Sequence, residues 1–139
     1  MNKALILISA LALLLSACGG GSVDQEPVAK ESSRLPEGAE AVSLMGEPLY
    51  PPEPSPNYLK KYEEAKVRYE QNPNDADAVI WYGRRAAYLG QYREAIDIFT
   101  EGITKFPEDA RFYRHRGHRY ISVREFNNAV RDLEKAGEL

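Results

Sequence analysis

The strongest constraint on this chain is an echo within it. The stretch 76–109 reads ADAVIWYGRRAAYLGQYREAIDIFTEGITKFPED, and the residues after it begin the same pattern again. Ala76-x-x-Val79-x-x-Tyr82-Gly83 returns as Ala110-x-x-Tyr113-x-x-Arg116-Gly117. Tyr92-x-x-Ala95-x-x-x-Phe99 returns as Phe126-x-x-Ala129-x-x-x-Leu133. The offset is 34 residues at every pair, with no gap. Two helical patterns of similar length meet at Leu89-Gly90-Gln91, and Pro107 closes the unit. A helix pair this short cannot bury its apolar faces alone, so such units must stack on one another.

At these positions the unit resembles the tetratricopeptide (TPR) repeat, a helix–turn–helix with the same period. The resemblance covers roughly residues 57–139. It implies that Gly83 and Gly117 let the first helix approach the second closely, that Ala95 and Ala129 do the same from the other side, and that Phe99 and Leu133 fill the space between. Pro107 ends the second helix, since proline lacks an N–H and restricts the residue before it. Arg116 departs from the leucine usual in the family; its stem is expected to pack while its head reaches water.

The same period extends upstream. Pro73 lies 34 residues before Pro107, and Tyr58 lies 34 before Tyr92. A helix over 57–72, carrying Leu59, Tyr62, Ala65, Val67 and Tyr69, therefore resembles the second helix of a degenerate repeat. Ser55 reads as its cap, with Pro56 in the first turn. Asp75 and Asp109 are the expected caps of the two first helices, and Glu101 with Lys105 forms a favourable i,i+4 pair. The expected fold is all-α, a TPR-type solenoid of about two and a half repeats: the half-repeat helix 57–72, then repeats 76–109 and 110–139. Five helices are expected, at about 57–72, 76–89, 92–106, 110–123 and 126–137. No period-2 alternation occurs, so no strands are predicted. TPR arrays usually finish with an extra helix whose outer face is polar, and this sequence shows none. The expectation is that another subunit covers that end, making a homo-oligomer through the last helix, or that the chain is a truncated form of a longer one.

Ahead of the repeats, residues 4–15 (ALILISALALLL) are almost wholly apolar, with Lys3 before them and Leu15-Ser16-Ala17-Cys18 after. That is the layout of a signal peptide, residues 1–17. As a helix the apolar run spans about 18 Å, short of the ~30 Å of a bilayer core. Leu-Ser-Ala-Cys resembles the lipobox of bacterial lipoproteins. The resemblance implies cleavage before Cys18, a diacylglyceryl group on its sulfur and acylation of the new N-terminus. Gly19, rather than an aspartate, implies sorting to the outer membrane in an enteric-type host, facing the periplasm; in a Gram-positive host the same signal implies the outer face of the cell membrane. Cys18 is the only cysteine, so no intrachain disulfide and no cysteine-based metal site is possible. Residues 18–56 read as an acidic, Pro/Gly-rich tether. Over 19–57 seven acidic residues face two basic ones, a net −5, and a flexible chain of that length spans roughly 35 Å. One island, Ala41 to Tyr50, is more apolar; it either folds back over the repeats in extended form or stays a loose linker.

No enzyme constellation is present: no G-x-S-x-G, no phosphate loop and no H-E-x-x-H. No catalysis and no cofactor are expected. His115 and His118 stand i,i+3, but no third ligand accompanies them and the arginines around them would repel a cation. The run Arg111–Arg119 (RFYRHRGHR) admits three readings: a solvated face, a nucleic-acid patch or part of a binding groove. Residues 58–139 hold 15 basic and 14 acidic side chains, so there is no overall basic field and nucleic acid is a poor candidate. In the family the first helices line the groove. Asp77, Ile80, Trp81, Arg84 and Tyr88 share that face by spacing, and Arg111, Arg114, His115 and His118 share it one repeat later. Val79, Tyr82, Gly83 and Ala86 should pack on the opposite side, as should Phe112, Tyr113, Gly117 and Tyr120. An acidic or C-terminal peptide suits such a groove. The expected function is that of a lipid-anchored TPR adaptor binding a protein partner in the cell envelope; the alternative is a self-associating structural component. Changing Cys18→Ser should abolish incorporation of labelled fatty acid and leave uncleaved precursor. Continued labelling of that variant would refute the lipobox reading.

Overall fold

A computed structural model describes residues 35–139; the expected signal peptide and Cys18 lie outside them. Five helices follow in order: α1 Pro56–Gln71, α2 Ala76–Tyr88, α3 Tyr92–Lys105, α4 Ala110–Ser122 and α5 Phe126–Glu138. Their starts follow local chemistry. Asp75 accepts a hydrogen bond from the Asp77 N–H at 2.9 Å, and Asp109 repeats the contact with the Arg111 N–H at 3.0 Å. Ser55 caps α1 in the same way. Each cap satisfies a donor that the first turn leaves unpaired. The turns between paired helices need a left-handed residue. Gly90 supplies it at φ +80°, and its counterpart 34 residues later, Arg124, adopts φ 65° without being glycine.

Each helix packs on the next, and α2 also touches α4. Within each repeat, glycine opposes a large apolar side chain. A Cβ on Gly83 would lie 2.6 Å from the Phe99 ring, and one on Gly117 would lie 3.0 Å from Leu133 Cγ. Between repeats, the Phe112 ring occupies the space beside Gly102. Val79, Phe99 and Phe112 are the largest fully buried side chains, and burial of each stabilises the fold by about 1.5–3 kcal/mol. The resulting architecture is the all-α, TPR-type helical solenoid.

Helix α1 is attached differently, for none of its residues is buried. Phenols hold it. Tyr62 donates to Glu94 Oε1 at 2.6 Å and Tyr69 donates to Glu101 Oε1 at 2.6 Å. Tyr69 also stacks on Tyr82, with ring centroids 5.3 Å apart. Burial and the bond to Glu94 push the Tyr62 phenol well above its ordinary range.

Two expectations are corrected. Residues 41–49 contain strands: β1 (Ala41–Val42) pairs antiparallel with β2 (Pro48–Leu49). The segment lies against the repeats through Ala39 and Ala41, 8% and 2% exposed, and Ala41 packs with Ile96 and Val123. Its pairs are too short to show a period-2 signal, and residues 35–56 are therefore not a free tether. Glu40 completes the join. Its carboxylate accepts the Arg93 N–H at 2.8 Å, in the first turn of α3, where Gln91 makes no side-chain cap bond. Secondly, the head of Arg116 is not left free in water but is largely covered, its side chain 16% exposed. It forks onto Asp132 through two 2.7 Å hydrogen bonds and donates to Thr100 Oγ1 at 3.0 Å. Asp132 is 6% exposed, so the ion pair takes the site that leucine usually fills. Removing one partner of such a pair typically costs about 3–5 kcal/mol. Asp132→Ala should lower the unfolding free energy by that order in urea melts, whereas Asp97→Ala, on the exposed side of α3, should leave it nearly unchanged.

Candidate functional site

Helices α2 and α4 hold equivalent positions in successive repeats, so residues 34 apart come side by side. At one end of this face Arg111 Nη1 pairs with Asp77 Oδ1 at 2.7 Å, and Arg111 also forks onto Asp109. The two carboxylates hold the Arg111 guanidinium well above its usual range. Arg111 and Asp77 thus neutralise each other and tie the two helices together.

Further along, positive charge goes uncompensated. Arg84 donates to the Tyr88 hydroxyl at 3.0 Å, and its guanidinium carbon lies 4.2 Å from the Trp81 ring centroid. A cation over an aromatic face is worth about 0.5–1 kcal/mol at exposed sites. Arg114 and His118 point outward and are exposed. Arg114 lines a shallow recess with Ala110, Arg111 and Ala136. Among the described residues, Arg84, Arg114, His118 and Arg119 have no carboxylate within 4 Å.

Ile80 and His115 turn away from the open face, and Trp81 stands at its edge, under Arg84 and beside a second cleft. Ile80 is 5% exposed and joins the core with Val79, Ile98 and Phe112. Close packing of α4 beside α2 leaves no room for it on the open face. Trp81 lines a separate cleft of about 220 Å³ between α1 and α2, with Lys61, Glu64, Ala65, Arg68 and Arg85. His115 turns inward and stacks on Phe99, with ring centroids 5.5 Å apart. Burial and then the positive charge of Arg114, Arg84, Arg119 and His118 push its pKa down to about 4.

Arg119 was not among the residues expected here. Its guanidinium lies 5.4 Å from the Tyr92 ring centroid, and burial lowers its pKa. It lies one turn beyond His115, on the boundary between the packed and open faces, where helical spacing alone cannot assign it. Among the described residues, no group of three or more His, Cys, Asp or Glu side chains is placed to hold a metal ion.

The comparisons agree with a helical-repeat scaffold. No family model matches the chain. Over 89 residues it is 32% identical to Hsc70-interacting protein 1 of Drosophila melanogaster, covering 64% of this chain and 22% of that protein. Over 92 residues it is 33% identical to Hsp70-Hsp90 organizing protein 1 of Glycine max, covering 61% of this chain and 16% of that protein. The matches thus span less than a quarter of either relative. Among solved structures, MamA AMB-1 in the C2221 form superposes with a TM-score of 0.56 at 24% identity, over 60% of this chain and 49% of that one. MamA MSR-1 in the C2 form gives 0.55 at 23% identity, over 59% and 47%. At that identity the likeness concerns the fold.

The depressed His115 pKa has a consequence for stability. The unfolded chain binds a proton at His115 near pH 6.5, but the folded chain does so only near pH 4. Between these values the unfolded state holds more protons, so this group's stabilisation is complete above about pH 6.5 and is lost as pH falls towards 4. In melts at pH 7 and pH 5, His115→Gln should lose less stability on acidification than wild type. Equal losses would contradict the buried, neutral imidazole.

Proposed function

We propose that this chain is a lipid-anchored adaptor of the cell envelope whose α2/α4 face binds an acidic or C-terminal peptide segment of a protein partner. The observation that carries the reading is the set Arg84, Arg114, His118 and Arg119, which lies on adjacent helices with no carboxylate neighbour among the described residues. Arginine presents a planar fork matched to carboxylate geometry, and Tyr88, 47% exposed, gives flat apolar contact beside it. The names of the matched relatives, one Hsc70-interacting and one organizing Hsp70 and Hsp90, support a binding rather than a catalytic role. The anchor rests on Cys18 and the apolar run before it, and the periplasmic side of the outer membrane is the proposed location. No helix among the described residues is long and apolar enough to cross a membrane.

Fluorescence anisotropy with a labelled acidic peptide tests the reading on residues 19–139. Each charge-assisted hydrogen bond lost contributes about 1.5–3 kcal/mol, so Arg84→Ala/Arg114→Ala should weaken binding at least tenfold. Binding should also weaken as salt rises. If the double variant binds as tightly as wild type, the basic cluster is only a solvated face.

A further inference from the structure

We infer that the turn at the tip of the 41–49 hairpin docks on the α2/α4 basic face of a second copy of this chain. The tip carries two of the most exposed large apolar side chains described, Leu44 at 88% and Met45 at 86%. The turn is not slack. Ser43 Oγ accepts the N–H of Met45 at 3.2 Å and of Glu47 at 3.0 Å. The Gly46 N–H donates to the Ser43 carbonyl at 3.1 Å, and the Ser43 N–H donates to the Glu47 carbonyl at 2.7 Å. Gly46 sits at φ +85°, the left-handed position that closes a three-residue hairpin loop.

The base of the hairpin is fastened equally well. Ala41 is buried against Ile96 and Val123. Glu40 receives the Arg93 N–H at 2.8 Å through its side chain and Arg93 Nε at 3.0 Å through its carbonyl. Two apolar side chains are thus held out in water on a pre-organised turn. Such a turn loses little conformational freedom when a partner covers it.

Charge selects the partner. Residues 35–56 contain four glutamates and no lysine or arginine. Glu40 is taken by Arg93, while Glu47 stands exposed at the edge of the tip. An anionic bilayer surface repels that combination. An apolar surface with a basic rim fits it, and this chain contains one. Tyr88 and Ile121, 47% and 44% exposed, give the apolar contact, and Arg84, Arg114 and His118 give the rim. The exposure of Leu44 and Met45 shows that the tip does not occupy the face of its own chain. The occupant is therefore the hairpin of a neighbouring copy, joined head to tail. This inference rests on the basic face proposed above as a binding site.

Photocrosslinking in bacterial cells tests it on the full chain, using Met45→p-benzoylphenylalanine. The expected product has twice the mass of the chain, and its crosslinked peptide belongs to α2 or α4. Arg84→Glu/Arg114→Glu in the same chain should reduce the product at least tenfold. Coexpressing an unlabelled wild-type copy should restore the product, which also shows that the reversed variant still folds and presents its hairpin. Crosslinks only to lipid or to other proteins, or a dimer product unaffected by the arginine changes, would overturn the inference. If acidic peptides bind the face but no such dimer forms, only the self-docking is wrong. Loss of both removes the basic face as a site.

Discussion

The fold depends on the contact between a glycine on one helix and a large apolar side chain on the next. Gly83 meets Phe99, Gly117 meets Leu133 and Gly102 meets Phe112. The first two join the helices of one repeat, and the third joins one repeat to the next. Side chains on those glycines would push the helix axes apart, and every later helix would inherit the displacement. The placement of α4 beside α2, and with it the alignment of Asp77 with Arg111, follows from these close approaches.

Arg116 and Asp132 show how a departure from the repeat pattern is absorbed. An arginine at a packed position creates a desolvated charge, which is costly unless it is fully paired. The chain meets that need one helix later with Asp132, and Thr100 accepts a further hydrogen bond from the same guanidinium. Both oxygens of the carboxylate are engaged at once, so the arrangement fixes the rotation of α5 about its axis as well as its distance from α4. Leucine–glycine packing alone would hold that rotation less tightly, because apolar contact is non-directional.

The helices were legible because capping residues, turn glycine and proline recur at one spacing and each acts locally. The open face was legible only in part. Periodicity distinguishes the two sides of a helix but not the margin between them, and Ile80, Trp81, His115 and Arg119 all lie near that margin. Their fates depend on how closely the neighbouring helices approach, α1 for Trp81 and α4 for Ile80, which is a property of other residues. The partner of Arg116 was hidden for a related reason, since Asp132 is 16 residues away and has no sequence mark of burial. The island 41–50 stood out in the sequence with two readings, and its docked hairpin could not be selected because two-residue strands carry no alternation and Glu40 caps α3 from 53 residues upstream.

The seam between α1 and the rest of the solenoid has a different character from the other seams. It consists of phenol–carboxylate hydrogen bonds and stacked rings, without a buried apolar residue contributed by α1. Water can replace such bonds one at a time, whereas it cannot replace Phe112 beside Gly102. This seam is therefore the expected first site of opening, as a separate cooperative unit of low free energy. In that partly opened state α2 through α5 remain stacked, and Tyr82 and Glu94 face solvent. Amide exchange in α1 would then outpace exchange in α2 and α3 by the ratio of two opening equilibria, and the molecule would melt from its first helix inward.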